Sequence, residues 1–325
     1  MKTYPILSVL TLAFLIGCTS AQKTSDSPTL SFEKEDGVLM IKDGDRDLLG
    51  YHFETMYPPA GVDSSFKRSA FIHPLNSPHG QVLTRVQPPD HYHHYGIWNP
   101  WTHVLFEGDT LDFWNLAKKH GTVQFAEFDT LMTTSDEAMF RVKEEHVVFR
   151  DSANIVALNE TKTIRISEVT EDAYVFDLQI DYQCASESPF LVLEYRYEGF
   201  GWRTTEEWNN QNSEVFTDQV DTRAEVDGTT GRWCVVQGEL SNEYGGAVMM
   251  SHPSNFNHPE PLRVWPVDMY NRGDLFASFT TTKNTDWLFQ PGNTYTLNYR
   301  LLVFNGKMTK EKAEAAWQKF SKSIN

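Results

Sequence analysis

The stretch Tyr174-Val175-Phe176-Asp177-Leu178-Gln179-Ile180-Asp181-Tyr182 carries an apolar side chain at every second position, with Asp177, Gln179 and Asp181 between. A period of two puts one face of an extended segment against a core and the other toward polar surroundings. The pattern returns at Tyr295, Leu297, Tyr299, Leu301 and Val303, interleaved with Thr296, Asn298 and Arg300. Both segments therefore predict antiparallel strands. Further strands are expected over residues 37–42, 47–53, 138–149, 155–167, 190–198, 232–238, 246–251 and 275–281. Asp43-Gly44-Asp45 reads as a hairpin turn between the first two. Only two stretches look helical. Thr309 to Lys322 sets Ala313, Ala316, Trp317 and Phe320 at helical spacing after a Thr cap, and Thr110 to Lys119 suits a short turn. No repeat and no glycine-rich phosphate loop interrupts the chain. The pattern predicts an all-β fold over residues 31–325: one large antiparallel β-sandwich, of supersandwich or jelly-roll type, with a C-terminal helix.

The first residues are of another kind. Met1-Lys2-Thr3 precedes an apolar run from Tyr4 to Ile16, which ends at Gly17-Cys18. A positive start, a short apolar stretch and a small residue before cysteine read as a lipoprotein signal peptide over residues 1–18, with Cys18 lipidated. Residues 19–30 read as a flexible tether. The expected location is the periplasm or the outer membrane, with membrane contact through the lipid anchor alone. A formal net charge of −16 argues against nucleic acid as a partner. An anionic ligand must then be met by a local group of Arg or His. Cys184 and Cys234 fall in strand-like apolar runs, where one disulfide and two buried thiols are equally compatible with the sequence.

Eight of the eleven histidines fall between residues 52 and 120. The densest group is Asp90-His91-Tyr92-His93-His94-Tyr95-Gly96-Ile97-Trp98, which follows Pro88-Pro89 and so belongs on a loop. Histidine titrates nearest neutrality, so three on one loop suit proton transfer or metal binding. An extended loop puts His91 and His93 on one side and Tyr92 and His94 on the other. If the use is a divalent metal, His91 and His93 need a third ligand such as His73, His79 or His252. Proton transfer alone requires no cofactor. Downstream, the strand expected over 190–198 turns Glu194 and Arg196 to a polar face. It runs into Gly199-Phe200-Gly201-Trp202-Arg203, whose glycines let Trp202 and Arg203 approach a ligand. Arg203 can clamp a carboxylate. His252-Pro253-Ser254-Asn255 offers short polar groups for sugar hydroxyls. Trp98 and Trp202, among nine tryptophans and thirteen tyrosines, suit stacking on a glycan.

Taken together, several blocks resemble the family named PmoA-like, a label borrowed from methane oxygenase. They are His73-Pro74 with Gly80-Gln81-Val82-Leu83-Thr84-Arg85, the run Asp90 to Trp98, Asp112-Phe113-Trp114, Gly199 to Arg203, and His252-Pro253-Ser254-Asn255. The resemblance spans Asp47 to Phe320. Tyr92 and Tyr95 stand where relatives tend to have proline and arginine. Such proteins sit among bacterial polysaccharide-degrading systems. The resemblance implies an oligosaccharide dehydratase of ulvan breakdown, a carbon–oxygen lyase. It would remove water across C4–C5 of a non-reducing-end uronic acid in an anionic oligosaccharide. On that reading His91 or His93 is the base, Tyr92, His94 or Tyr197 protonates the departing oxygen, and Arg85 or Arg203 neutralises the carboxylate. His73, Trp98, Glu194, Arg196, Trp202, His252 and Asn255 then line the substrate. The rival expectations are a glycoside hydrolase using two carboxylates from Glu194, Glu198, Asp90 or Asp112, and a glycan-binding lipoprotein without catalysis.

Overall fold

The computed structural model describes residues 1–2, 30–241 and 243–323. The apolar leader, Cys18 and the tether up to residue 29 lie outside the described residues. Among the described residues no helix is long and apolar enough to cross a membrane.

The fold is all-β, as the alternation predicts. Three antiparallel sheets carry it, with the short C-terminal helix Lys310–Phe320 against one of them. The eight-stranded sheet has Ala173–Cys184 and Tyr295–Asn305 at its centre. These two strands pair with Tyr174 opposite Val303 and Tyr182 opposite Tyr295. Their apolar positions therefore share one face, and that face builds the core. The nine-stranded sheet supplies the opposing layer, through residues such as Leu39, Ile41, Leu49, Ile72 and Ile97. Trp287–Phe289, Phe190–Val192, Val104–Phe106 and Asp109–Leu111 form the third, four-stranded sheet.

One long strand escapes the sequence pattern. Gly121–Thr133 is the outer edge of the eight-stranded sheet, and its register against Glu137–Val148 shifts at Phe125/Glu127 and again at Phe128/Thr130. Each bulge resets the period, so no alternation survives over its length. A second departure matters more for the site. The strand expected over 190–198 stops at Val192, and Glu194 and Arg196 follow on an exposed connection rather than on a sheet face.

Between the two large sheets lies a buried ionic network. The Tyr51 hydroxyl donates to Glu144 at 2.8 Å, Lys162 bridges Glu144 at 2.7 Å and Glu160 at 3.0 Å, and the His146 ring meets Glu160 at 2.8 Å. Burial raises the Glu144 carboxyl above the usual range, while Lys162 and His146 outweigh burial and hold Glu160 below it. Cys184 and Cys234 are both free thiols, so no disulfide joins them.

The strand Phe200–Arg203 lies inside the nine-stranded sheet, between Ile97–Trp98 and Phe276–Phe279, and all four residues are buried. Alternation sends its side chains to opposite faces. Trp202 joins Ile97 and Ala277 in the main core. Arg203 pairs across from Phe276, which belongs to a separate aromatic cluster with Trp98, Trp114 and Trp265. That aromatic cluster is the floor of the site.

Candidate active site

The loop after Pro88-Pro89 is folded, not extended. His91 N–H donates to the Pro88 carbonyl at 2.8 Å and His94 N–H to the His91 carbonyl at 3.0 Å, which makes two successive turns. The expected split of His91 and His93 from His94 therefore does not occur. The turns bring all three imidazoles together, with ring centroids 5.2 Å (His91–His93), 4.6 Å (His91–His94) and 4.9 Å (His93–His94) apart. Tyr92 is turned away, against Phe66 at 5.8 Å. Tyr95 is buried and donates its hydroxyl to the Phe66 carbonyl.

Asp90 organises the charges. Its Oδ2 accepts from His91 Nδ1 at 2.9 Å and from Arg203 Nη2 at 2.9 Å. Burial alone would raise this carboxyl, but His91 and Arg203 outweigh it and hold it down at about 2. With Nδ1 occupied by Asp90, His91 Nε2 faces the Tyr270 hydroxyl at 3.2 Å. His94 is 1% exposed, enclosed by Trp98, Trp265 and Phe276, and its Nδ1 has no partner among the described residues. Burial pushes His94 well below its ordinary value, with His93 and His91 adding to the effect. Burial, then the neighbouring His91, lowers His93 to about 4. Both rings are neutral at neutral pH.

Two arginines join this group. Arg203 is 1% exposed, its guanidinium carbon 4.6 Å from the centre of the Trp265 ring, and its Nη1 has no partner among the described residues. Asp274 lies 3.8 Å from Arg203 and 4.0 Å from Arg85, so one carboxylate links both cations. Arg85 is the more accessible. With His73, Thr84, Pro88, Pro89 and Glu206 it lines an open cleft of about 520 Å³ that reaches the start of the histidine turns. His73 hydrogen-bonds Thr84 Oγ1 at 2.9 Å, and burial lowers its ring to about 4.

Several expected ligand residues serve the fold instead. Trp202 is fully buried and donates Nε1 to the Leu83 carbonyl at 2.9 Å. The glycine beside it, Gly201, leaves room for the Phe276 and Trp114 rings, which a Cβ would meet at 3.1 and 3.2 Å. Trp98 is buried but touches the site, its ring 5.1 Å from that of His94 and tilted by 44°. His252 packs on Phe320 at 5.3 Å beneath the C-terminal helix, and Asn255 donates to Glu260 at 2.9 Å inside a buried network. His79 pairs with Glu243 at 2.7 Å. None of His73, His79 or His252 completes a ligand set with His91 and His93; among the described residues the converging third member is His94. Of the carboxylates considered for hydrolysis, Asp112 caps the backbone of Trp114 and Asn115, and Glu198 is buried against Thr282. Tyr197 accepts from Arg263 and Trp265, which commits its oxygen away from the imidazoles.

The loop carrying Trp265, Tyr270 and Asp274 had no signal in the sequence. It is closed at its base by buried Arg223, which donates to the carbonyls of Trp265 at 2.9 Å, Gly273 at 2.9 Å and Asp274 at 2.7 Å. At its tip Tyr270 and Asn271 hold φ of +53° and +61°, a left-handed conformation that costs a non-glycine residue energy.

These features define an all-β protein with a histidine-rich, cation-bearing site built from three separate segments of chain. The chain belongs to a family of unknown function, DUF6807, whose pattern matches residues 39–318. No curated protein matches it. Among solved structures it is similar to heparan sulfate lyase HepC from Pedobacter heparinus, at 7% identity and a TM-score of 0.39, and to a mutant of that lyase at 0.41. It covers 87% of its own length there and 38% of the lyase chain. A 4-alpha-glucanotransferase from Thermococcus litoralis aligns at 12% identity and a TM-score of 0.28, over 86% of this chain and 40% of that one. The chain thus spans about two fifths of the length of these structures.

Proposed function

We propose that this protein is a carbohydrate-active carbon–oxygen lyase that dehydrates the non-reducing-end uronic acid of an anionic, ulvan-type oligosaccharide. The observation that carries the reading is the chain of contacts Arg203–Asp90–His91–Tyr270. It couples a phenol to an oriented imidazole, next to cationic groups and against aromatic rings. The PmoA-like resemblance supplies the reaction class.

Dehydration breaks C5–H and C4–O, forms the C4=C5 bond and releases water. The carboxylate at C5 must be neutralised so that charge can develop beside it. Arg85, at the cleft, is the accessible guanidinium for this, and buried Arg203 supports it through Asp274. Tyr270, half exposed at the loop tip, is the proton-transfer group. Burial, then the nearby Asp90, raises the Tyr270 hydroxyl, so it starts as phenol. His91 Nε2 takes the phenol proton, and the phenolate takes H5 and gives that proton to the departing C4 oxygen. His91 then returns the first proton, which keeps it as a base acting through Tyr270. The donor role moves from Tyr92 to Tyr270 because the turns point Tyr92 elsewhere. We also place the protein at the bacterial envelope, held by a lipid on Cys18.

The test is to incubate purified protein with uronic-acid-terminated ulvan oligosaccharides and weigh the products. Loss of one water with new ultraviolet absorbance supports the lyase, and Tyr270→Phe should abolish it. Gain of water with chain shortening would replace it by the hydrolase, and unchanged masses with measurable affinity would replace it by a binding protein.

A further inference from the structure

We propose that His91, His93 and His94 are a binding site for one divalent transition-metal ion of the zinc class, with Asp90 and Tyr270 at its border. One donor nitrogen from each ring lies within 4.8 Å of the other two. Three nitrogens on a tetrahedral ion at about 2.0–2.1 Å stand roughly 3.4 Å apart. Closing that difference takes small ring rotations of His91 and His93, both of which are only partly buried.

The second observation concerns the ring nitrogens of His94 and His93. His94 is enclosed by aromatic rings, yet its buried Nδ1 has no hydrogen-bond partner among the described residues. A buried polar atom without a partner is uncommon and points to a missing ligand. Among the described residues His93 forms no side-chain hydrogen bond either, whereas Asp90 holds Nδ1 of His91, so that an ion on Nε2 would displace the Tyr270 hydroxyl. A carboxylate on the far nitrogen of a ligating histidine fixes its tautomer and raises its basicity, an arrangement common around bound metals. Asp90 already has that place. Tyr270, 3.2 Å from Nε2, then lies at the edge of the coordination sphere.

The donor set also selects the ion. Three uncharged imidazoles suit zinc, cobalt, nickel, copper or iron, while calcium and magnesium demand oxygen ligands. Three protein ligands leave at least one position open, as in catalytic rather than structural zinc sites. A carboxylate oxygen of an acidic sugar is the ligand this position would take. That last identification rests on the lyase reading; the metal site does not.

The experiment is metal analysis of the full chain as purified, followed by titration of the chelator-stripped protein with zinc and with cobalt(II). About one equivalent per chain is expected, with cobalt giving a visible spectrum of low coordination number. Partly exposed His93→Ala should lose at least 100-fold in cobalt affinity while keeping its circular dichroism. Asp90→Asn should loosen the ion by about 10–100-fold, and His252→Ala should leave it unchanged. Failure of either ion to bind at micromolar concentration overturns the site, as does unaltered binding in both His93→Ala and His94→Gln. Tight cobalt with no change in any oligosaccharide leaves the metal site standing and removes the lyase. Water loss that survives complete chelation leaves the lyase standing and overturns the sugar carboxylate as the ion's ligand.

Discussion

Two groups of buried titratable side chains sit on opposite sides of the nine-stranded sheet, and they differ in how their polar atoms are used. In the interior network Tyr51, Glu144, Lys162, Glu160 and His146 answer one another: His146 Nδ1 and Glu160 Oε1 lack hydrogen-bond partners among the described residues, but Lys162 stands 3.0 Å from that Glu160 oxygen. At the loop site Asp90 and Arg203 are paired, but among the described residues His94 Nδ1 and Arg203 Nη1 are buried without partners and His93 has none. A satisfied network holds two sheets together; an unsatisfied one is prepared for something from outside. The difference also predicts where mutations will act: on stability in the interior, on function at the loops.

The largest effect on folding should come from Lys162→Met. Two buried carboxylates then lose their cation, at about 3–5 kcal/mol in denaturant unfolding, and adding Glu144→Gln and Glu160→Gln should restore most of it. His93→Ala should do the opposite, changing stability by less than about 1 kcal/mol while lowering activity on the oligosaccharide by about 100-fold or more. A large stability loss in His93→Ala would erase the distinction between the regions.

Acid titration sharpens it further. His52 and His73 sit at about 4 when folded, lowered from 6.5 by burial. The unfolded chain therefore binds more protons between those values, so this contribution is complete above pH 6.5 and is lost as pH falls toward 4. Raised Glu144 has the opposite sign: the folded state holds its proton more tightly, so its contribution is lost as pH rises above 4.5. Glu144→Gln should accordingly show a steeper gain in unfolding free energy from pH 4.5 to 6.5 than the parent, and His73→Gln a shallower one. Each slope change should be on the order of 1 kcal/mol across the window. The smallest effect is expected at the exposed connection, where Glu194→Ala and Arg196→Ala should alter turnover less than twofold.

The β-fold was legible because a half-buried strand must alternate, and the register of Ala173–Cys184 on Tyr295–Asn305 preserves that alternation in both partners. Gly121–Thr133 was not legible because two bulges break its period. Half of the site could be read, since His91, His93, His94 and Arg203 stand in dense local motifs. Trp265, Tyr270 and Asp274 could not, because only the pairing of Phe276–Phe279 with Phe200–Arg203 carries their loop to the histidines. Trp202 was misread for a related reason. In a strand covered on both faces, an aromatic residue gives no sign of which side holds the ligand.

The bulged outer strand has a consequence for self-association. An open sheet edge offers unpaired amide and carbonyl groups to any neighbouring chain. Along Gly121–Thr133 the two register shifts and the side chains of Glu127 and Asp129 interrupt that offer. A second copy laid against this rim would meet a broken ladder, which disfavours edge-to-edge zipping of crowded molecules there.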